Sequence, residues 1–301
     1  MRTDSDSLTQ SLTADTISKW PSHLVIVRHA ESERNIWKEI ATAKGELVYS
    51  GQVRDMDVPL TPNGERQAVA TGESLVVEHK FDRVFVSPFK RTVETARLMI
   101  EQFPYAVEVI EDERLREIDF GVLDGLTKHG IADFHPEEKE RRAKLGKYHH
   151  RPPAGENYSD VALRLHSFLG TLTREAAGES VLVVCHGVVV LIFRKLLERL
   201  SEQQLLTIDR DKAQEVRNCS VTHYEFDPNA GTTGKLILRD FNRVYYSLKM
   251  PEQSKPKPTS GYERIYQELS PEAQDQTIRE FKKIQAAEKL LKEKPASPKV
   301  Q

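Results

Sequence analysis

Two short segments limit what this chain can fold into more than any other feature. His23-Leu24-Val25-Ile26-Val27-Arg28-His29 and Ser180-Val181-Leu182-Val183-Val184-Cys185-His186-Gly187 each hold an unbroken apolar run. Successive side chains of a strand point to opposite faces, so a run apolar at every position has both faces buried. Strands of this kind belong at the centre of a parallel sheet covered by helices on both sides. Further strand-like runs lie at 83–86, 106–110, 222–226 and 236–240, with helical patterns between most of them. Thr61 can cap a helix with Pro62 at its first position and Glu65 close to the capping-box position. Ser87-Pro88 is the expected start of a second helix running through Met99 to Glu101. Ser159 or Asp160 is the expected start of a third, with Val161, Leu165, Phe168, Leu169 and Leu172 on one face. The expected architecture is an α/β three-layer sandwich with a mostly parallel central sheet and helices on both faces.

Composition divides the 301 residues into three regions. Residues 1–20 form a polar arm, expected to be disordered; residues 21–249 hold the strand–helix alternation. Residues 250–301 begin with the Pro/Lys-rich stretch PEQSKPKPTS, a linker by composition, and continue into a helical tail. Ser270-Pro271-Glu272 would start that tail helix, and Ile278, Phe281, Ile284 and Leu291 would give it a thin apolar stripe, expected to dock on its own domain. The net charge of -2 gives no global field towards nucleic acid or an anionic membrane. The apolar runs fall well short of the ~18 residues a spanning helix needs. The first twenty residues lack the apolar core of a secretory leader and carry acidic residues that disfavour a transit peptide. Two cysteines, Cys185 and Cys219, are too few for a disulfide framework, and the expected location is cytoplasmic.

The chemistry gathers at strand ends. One buried strand delivers Arg28 and His29, and the other delivers His186 followed by Gly187. Ligands of open α/β sheets sit at that carboxyl edge. A third strand ends at Ser87, and Arg91 falls in the first turns of the next helix. A helix N-terminus attracts anions, and an arginine there adds a two-pronged donor for phosphate oxygens. Any one of these residues alone is more easily read as structural; together they point to an anion pocket.

These motifs resemble the histidine phosphatase superfamily, the phosphoglycerate mutase-like proteins. The resemblance covers about residues 22–245 and keeps the family's motif order. It rests on Arg28-His29-Ala30-Glu31-Ser32 with Asn35, Pro59-Leu60-Thr61 with Gly64 and Gln67-Ala68, and Ser87-Pro88 with Arg91-Thr92 and Thr95-Ala96. It also rests on Leu115-Arg116-Glu117 with Phe120-Gly121, on Gly155-Glu156, and on His186-Gly187. The resemblance implies that His29 becomes a phosphohistidine, that Arg28, Arg91 and His186 complete the phosphate pocket, and that Glu117 protonates the leaving oxygen. It places Asn35 and Gly187 beside the bound phosphate. It implies a phosphatase acting on small phosphorylated substrates with no cofactor and no metal, and often a homodimer. Neither nucleic acid nor a membrane is an expected partner. The chemistry predicts a raised Glu117 pKa and a His186 protonated near the phosphate dianion.

The chain departs from the family at several points. Ala30 stands where glycine is more common, a change expected to do little damage. Phosphoglycerate mutases follow the acid with an Arg and a Tyr that hold the substrate, where this chain has Ile118 and Phe120. That favours hydrolysis over a mutase reaction; a mutase or a sugar bisphosphatase is the enzymatic alternative. A non-catalytic regulator is the alternative from outside enzymology. Residues 139–151, KERRAKLGKYHHR, carry six Lys or Arg against one Glu. They read as a solvated helix face or as a lid attracting anionic substrates, with Lys147, Tyr148, His149 and Arg151 as candidate contacts. Asn218-Cys219-Ser220 reads mainly as structural, and the loops at 36–58 and 122–155 are expected to shape the pocket.

Overall fold

A computed structural model describes residues 19–49 and 53–246. The expected arm through residue 18 and the linker and tail from residue 247 lie outside the described residues. The elements run β1 (His23–Arg28), α1 (Glu33–Lys44), α2 (Pro62–Glu78), β2 (Arg83–Val86), α3 (Lys90–Ile100), β3 (Glu108–Glu111) and α4 (Lys128–Phe134). They continue with α5 (Pro136–His149), α6 (Tyr158–Glu175), β4 (Ser180–Cys185), α7 (Gly187–Leu197), α8 (Glu202–Arg210), β5 (Val221–Asp227) and β6 (Lys235–Arg243).

The sheet order is β3-β2-β4-β1-β5-β6. The first four strands run parallel, and β5 and β6 extend the sheet antiparallel from β1. The two all-apolar runs, β1 and β4, are neighbours at the centre, and every residue of β4 is buried. Strand alternation divides their side chains between two cores. Leu24, Ile26, Val181 and Val183 face α6, α7 and α8; Val25, Val27, Leu182 and Val184 face α2 and α3. The three-layer α/β sandwich read from the sequence is the observed fold. Among the described residues no helix is long and apolar enough to cross a membrane.

Some boundaries differ from the sequence expectation. β3 occupies Glu108–Glu111 rather than 106–110. It is an edge strand with largely exposed side chains, so pairing with β2 sets its position and burial leaves little pattern to read. Ser87-Pro88 does not start α3, whose N-cap is Phe89, because the Ser87 amide still bonds Val184 O across the sheet. Neither Ser159 nor Asp160 caps α6: the cap is Asn157, whose Oδ1 accepts from the Asp160 N–H while Asp160 Oδ2 accepts from the Asn157 N–H. The segments 36–58 and 122–155 are not simply loops, since α1 fills part of the first and α4 and α5 much of the second. Gly146, at φ 76°, kinks α5 in a conformation that glycine adopts without strain.

Candidate active site

Register alone brings the two strand-end histidines together. Arg28 pairs with Cys185 and Val86 of β2 pairs with Val184, so His29, His186 and Ser87 follow the ends of three adjacent parallel strands. The His29 amide bonds Cys185 O at 2.8 Å, and the two imidazole rings lie 5.3 Å apart. His29 Nδ1 bonds the Ala30 carbonyl oxygen at 2.7 Å. A carbonyl only accepts, so Nδ1 carries the proton and Nε2 keeps its lone pair. Burial, then the charges of Arg91 and Arg28, holds the His29 pKa well below its ordinary value. The imidazole is therefore neutral at neutral pH.

His186 Nε2 meets Ser87 Oγ at 2.8 Å, while buried Nδ1 has no hydrogen-bond partner. Burial, then Arg91, His29 and Arg28, lowers its pKa as well. His186 is thus neutral in the free pocket, whereas the protonated state expected from the sequence is that of the site with a phosphate dianion bound. Arg28 donates from Nη1 to Val216 O, its buried Nε has no partner, and Gly187 lies beside it. A Cβ at position 187 would come 3.6 Å from Arg28 Nε, in ordinary contact.

Arg91, second residue of α3 and 3% exposed, points into the same pocket, but the sequence did not reveal its partner. Its Nη1 and Nη2 donate to Asp55 Oδ1 and Oδ2 at 2.9 and 3.2 Å, and Nη1 also reaches Asp55 O at 2.6 Å. Asp55 Oδ1 also lies 3.0 Å from Arg34 Nε, and Arg34 continues to Asp124 and Tyr49. The Phe89 ring lies between Arg91 and His186, its centre 4.9 Å from the Arg91 guanidinium and 5.0 Å from the His186 ring, which it meets edge-to-face. Nothing local in the sequence marks Asp55, because its partner lies 36 positions away.

Glu117 approaches from the loop after β3. Its Oε1 accepts from the Ile118 N–H at 3.0 Å. Burial raises its pKa, against the opposing pull of that hydrogen bond and of Arg91 and Arg28. The expectation of a raised pKa therefore holds, with burial as the cause. Gly155-Glu156 hold this loop in place. Glu156 accepts from Arg116 Nη2 (2.8 Å), Arg164 Nε (3.0 Å) and the Asp119 N–H (3.1 Å), and Arg164 also reaches Glu117 O.

The remaining motif residues hold the segment after β1 in place. Glu31 accepts from Thr61 Oγ1 and Asn63 Nδ2, and its amide donates to Gln67 Oε1. A Cβ on Gly64 would stand 2.0 Å from Glu31 O, so only glycine fits there. Ala30 donates its N–H to Thr95 Oγ1, and positive φ does not occur at this position, which leaves the Ala unstrained. Asn35 Oδ1 accepts from the Ser32 N–H and from Asn218 Nδ2, which also donates to His29 O. Asn218, read as structural, ties Asn35 to the backbone of His29.

The candidate contacts in 139–151 are engaged elsewhere. Lys147 pairs with Asp209, Tyr148 is buried, His149 meets Glu202 at 2.9 Å and Arg151 pairs with Asp160. Three of the six Lys and Arg in this stretch have carboxylate partners, Arg141 with Glu138, Lys147 with Asp209 and Arg151 with Asp160, which favours the structural reading over a lid.

The profile of the histidine phosphatase superfamily (branch 1) matches residues 24–237. The 2,3-bisphosphoglycerate-dependent phosphoglycerate mutase 2 of Gloeobacter violaceus is 35% identical over 218 residues, covering 71% of this chain and 90% of that one. Human 6-phosphofructo-2-kinase/fructose-2,6-bisphosphatase 3 is 32% identical over 171 residues, covering 56% of this chain and 28% of that one. Among solved structures, a mycobacterial glucosyl-3-phosphoglycerate phosphatase complexed with VO3 shares the fold, at TM-score 0.58 and 24% identity over 74% of this chain and all of that one. The relatives include both mutases and phosphatases, and the chain belongs to the histidine phosphatase superfamily.

Proposed function

We propose that this protein hydrolyses small phosphomonoesters through a phosphohistidine on His29. The observation that carries the reading is the state of His29: a neutral imidazole with Nε2 free, beside Arg28, Arg91 and the unpartnered His186 Nδ1. In the first step His29 Nε2 attacks phosphorus, the P–O ester bond breaks, and Glu117 gives its proton to the leaving alkoxide. In the second, the Glu117 carboxylate takes a proton from water, the water oxygen attacks phosphorus, and the P–N bond breaks to release phosphate. Arg28 and Arg91 stabilise the equatorial oxygens, a role a metal ion fills in other phosphoryl-transfer enzymes. Arrival of the dianion reverses the local charge and makes protonation of His186 favourable. Asn35 and Gly187 line the phosphate position.

A mutase reaction is the second reading, favoured by the names of the relatives. Against it, Ile118 is 5% exposed and part of the core beneath the site, and Phe120 offers no polar group to hold a substrate carboxylate. Both thiols are buried and unpaired, in keeping with a reducing cytoplasm. The test is brief incubation with a radiolabelled phosphomonoester, then an acid quench. An acid-labile, base-stable phosphoenzyme in the wild type and none in His29→Ala is expected. A wild type that turns over without label would overturn the mechanism. Phosphoglycerate isomerised without phosphate release would decide for the mutase.

A further inference from the structure

At the opposite end of β1, three imidazoles converge. His23 opens β1, His79 is the residue at which α2 ends, and His223 lies on β5. His23 and His223 are diagonal neighbours across the antiparallel β1–β5 pair, on the sheet face that α2 covers. His23 Nδ1 and His223 Nε2 are 3.1 Å apart, and one ring nitrogen from each of the three lies within 4.8 Å of the other two. The rings are half-buried and stand above the buried Phe81 ring, 5.6 Å from His79.

Each element shapes the cluster. His79 leaves the helix with extended backbone, φ −138° and ψ 144°, and so turns back over the sheet. The β5–β6 pairing shifts register on both sides of the His223–Asp240 pair. Bulges of this kind re-aim side chains. Asp240, directly across from His223, is half-buried, and its carboxylate has no hydrogen bond or ion pair among the described residues. The other nearby carboxylates are engaged, Glu78 by Arg243 and Tyr245 and Glu225 by Arg239.

We propose that His23, His79 and His223 form a binding site for a divalent late transition ion of the Zn2+ class, with Asp240 or water in the fourth position. Tetrahedral coordination at Zn–N distances of about 2.0–2.1 Å places ligand nitrogens about 3.3 Å apart. One pair already has nearly this spacing, and small side-chain rotations bring in the third. Three neutral imidazoles with a carboxylate or water suit Zn2+, Cu2+ and Ni2+, and exclude a hard Mg2+ or Ca2+ site. The role is structural: the ion ties the start of β1 to the end of α2 and to the antiparallel edge. His23 and His29 are six positions apart along the strand direction, about 20 Å at the rise of a strand, so the ion takes no part in phosphoryl transfer.

The test uses tag-free full-length protein stripped with a chelator. Titration with Zn2+ by calorimetry, and with Co2+ by visible absorption, is expected to show one tetrahedral site. Zn2+ at a hundredfold excess over Kd should raise Tm by roughly 5–10 °C. His79→Ala and the milder His79→Gln should lose the ion and the Tm shift while keeping the wild-type Tm in chelator and the phosphatase rate. His29→Ala should retain the ion. Failure of the wild type to bind Zn2+ stoichiometrically would overturn the proposal. So would binding that survives both His79 variants and disappears in His29→Ala, because the ion would then sit on the strand-end histidines.

Discussion

Replacing Glu117 with Gln separates proton donation from everything else the pocket does. The amide keeps the shape, and its oxygen can still accept from the Ile118 N–H at 3.0 Å. The magnitude starts from protonation states. At ordinary pKa values of 4.5 for Glu117 and 6.5 for His29, the form with the acid protonated and the nucleophile neutral is at most about 1% of the protein, near pH 5.5. Burial moves the two values in opposite directions, Glu117 up and His29 down, and both movements enlarge that fraction. Loss of the general acid should cost about 100- to 10,000-fold in kcat/KM for an alkyl phosphate such as glycerol phosphate, or about 3–5 kcal/mol. Nitrophenyl phosphate needs no proton on its leaving group, so its first step should lose far less. Its second step still needs a base, so the phosphoenzyme should accumulate, with a burst of one nitrophenolate per site in stopped flow. The wild-type kcat/KM for alkyl phosphates should fall as pH rises through the raised Glu117 pKa, and the variant should lack that limb. Equal losses on both substrates, without a burst, would refute the assignment of Glu117 as acid and base.

Asp55→Asn removes the carboxylate that Arg91 grips, which competes with an incoming phosphate. Phosphate or vanadate inhibition should tighten roughly tenfold, about 1.4 kcal/mol, while the anion-free protein melts lower because a buried guanidinium loses its partner. Asp55 also helps raise the Glu117 pKa, so the alkaline limb should move to lower pH in the same variant. His29 and His186 have folded pKa values below their unfolded 6.5, so the unfolded chain binds more protons as pH drops through that value. Chemical denaturation should therefore show stability falling below about pH 6.5, by about 1.4 kcal/mol per pH unit for each histidine, and His186→Asn should reduce the slope. Phosphate binding at neutral pH should take up protons, seen as calorimetric heats that vary with the buffer's ionisation enthalpy. Gly64→Ala must displace Glu31 O, which its Cβ would approach to 2.0 Å; a loss of about 1–3 kcal/mol in denaturant melts and reduced turnover are expected.

What the sequence made legible follows from the range over which each feature is determined. β1 and β4 are fixed by burial on both faces, so their unbroken apolar runs located them to within a residue or two. Because the ends of adjacent parallel strands meet, Arg28, His29 and His186 could be read as a group without a relative. Glu117 and Asn35 could not: Glu117 lies in a loop and Asn35 is a polar residue in the first turn of α1, and only the family resemblance singled them out. Asp55 escaped both routes, since a carboxylate opening a single 3-10 turn carries no mark of a partner brought in by folding. The basic stretch at 139–151 misled for the same reason. A local window shows one opposing Glu, whereas Asp209, Glu202 and Asp160 supply the counter-charges in space. Ser87 was misassigned because its backbone still belongs to the sheet, its amide bonding Val184 O, while its hydroxyl meets His186 Nε2.

Burial first, and then the charges of two arginines, explain why the histidines of the free pocket are neutral. Arg28 and Arg91 bring two permanent positive charges to a site where His29 and His186 are almost fully excluded from water. A third or fourth positive charge there would be costly, so the imidazoles release their protons, as nucleophilic attack by His29 requires. Asp55 grips Arg91 and the charges of Glu117 and Glu215 act on Arg28, while burial works against ionisation of Glu117. A phosphate dianion entering this site supplies the negative charge that the pocket lacks. It can displace Asp55 from Arg91, and it favours a proton on His186 and on Glu117. In the proposed mechanism the charges that would hold the substrate and the proton that would release the leaving group are therefore linked: an anion drawn to the arginines would also favour protonation of the acid proposed to cleave it.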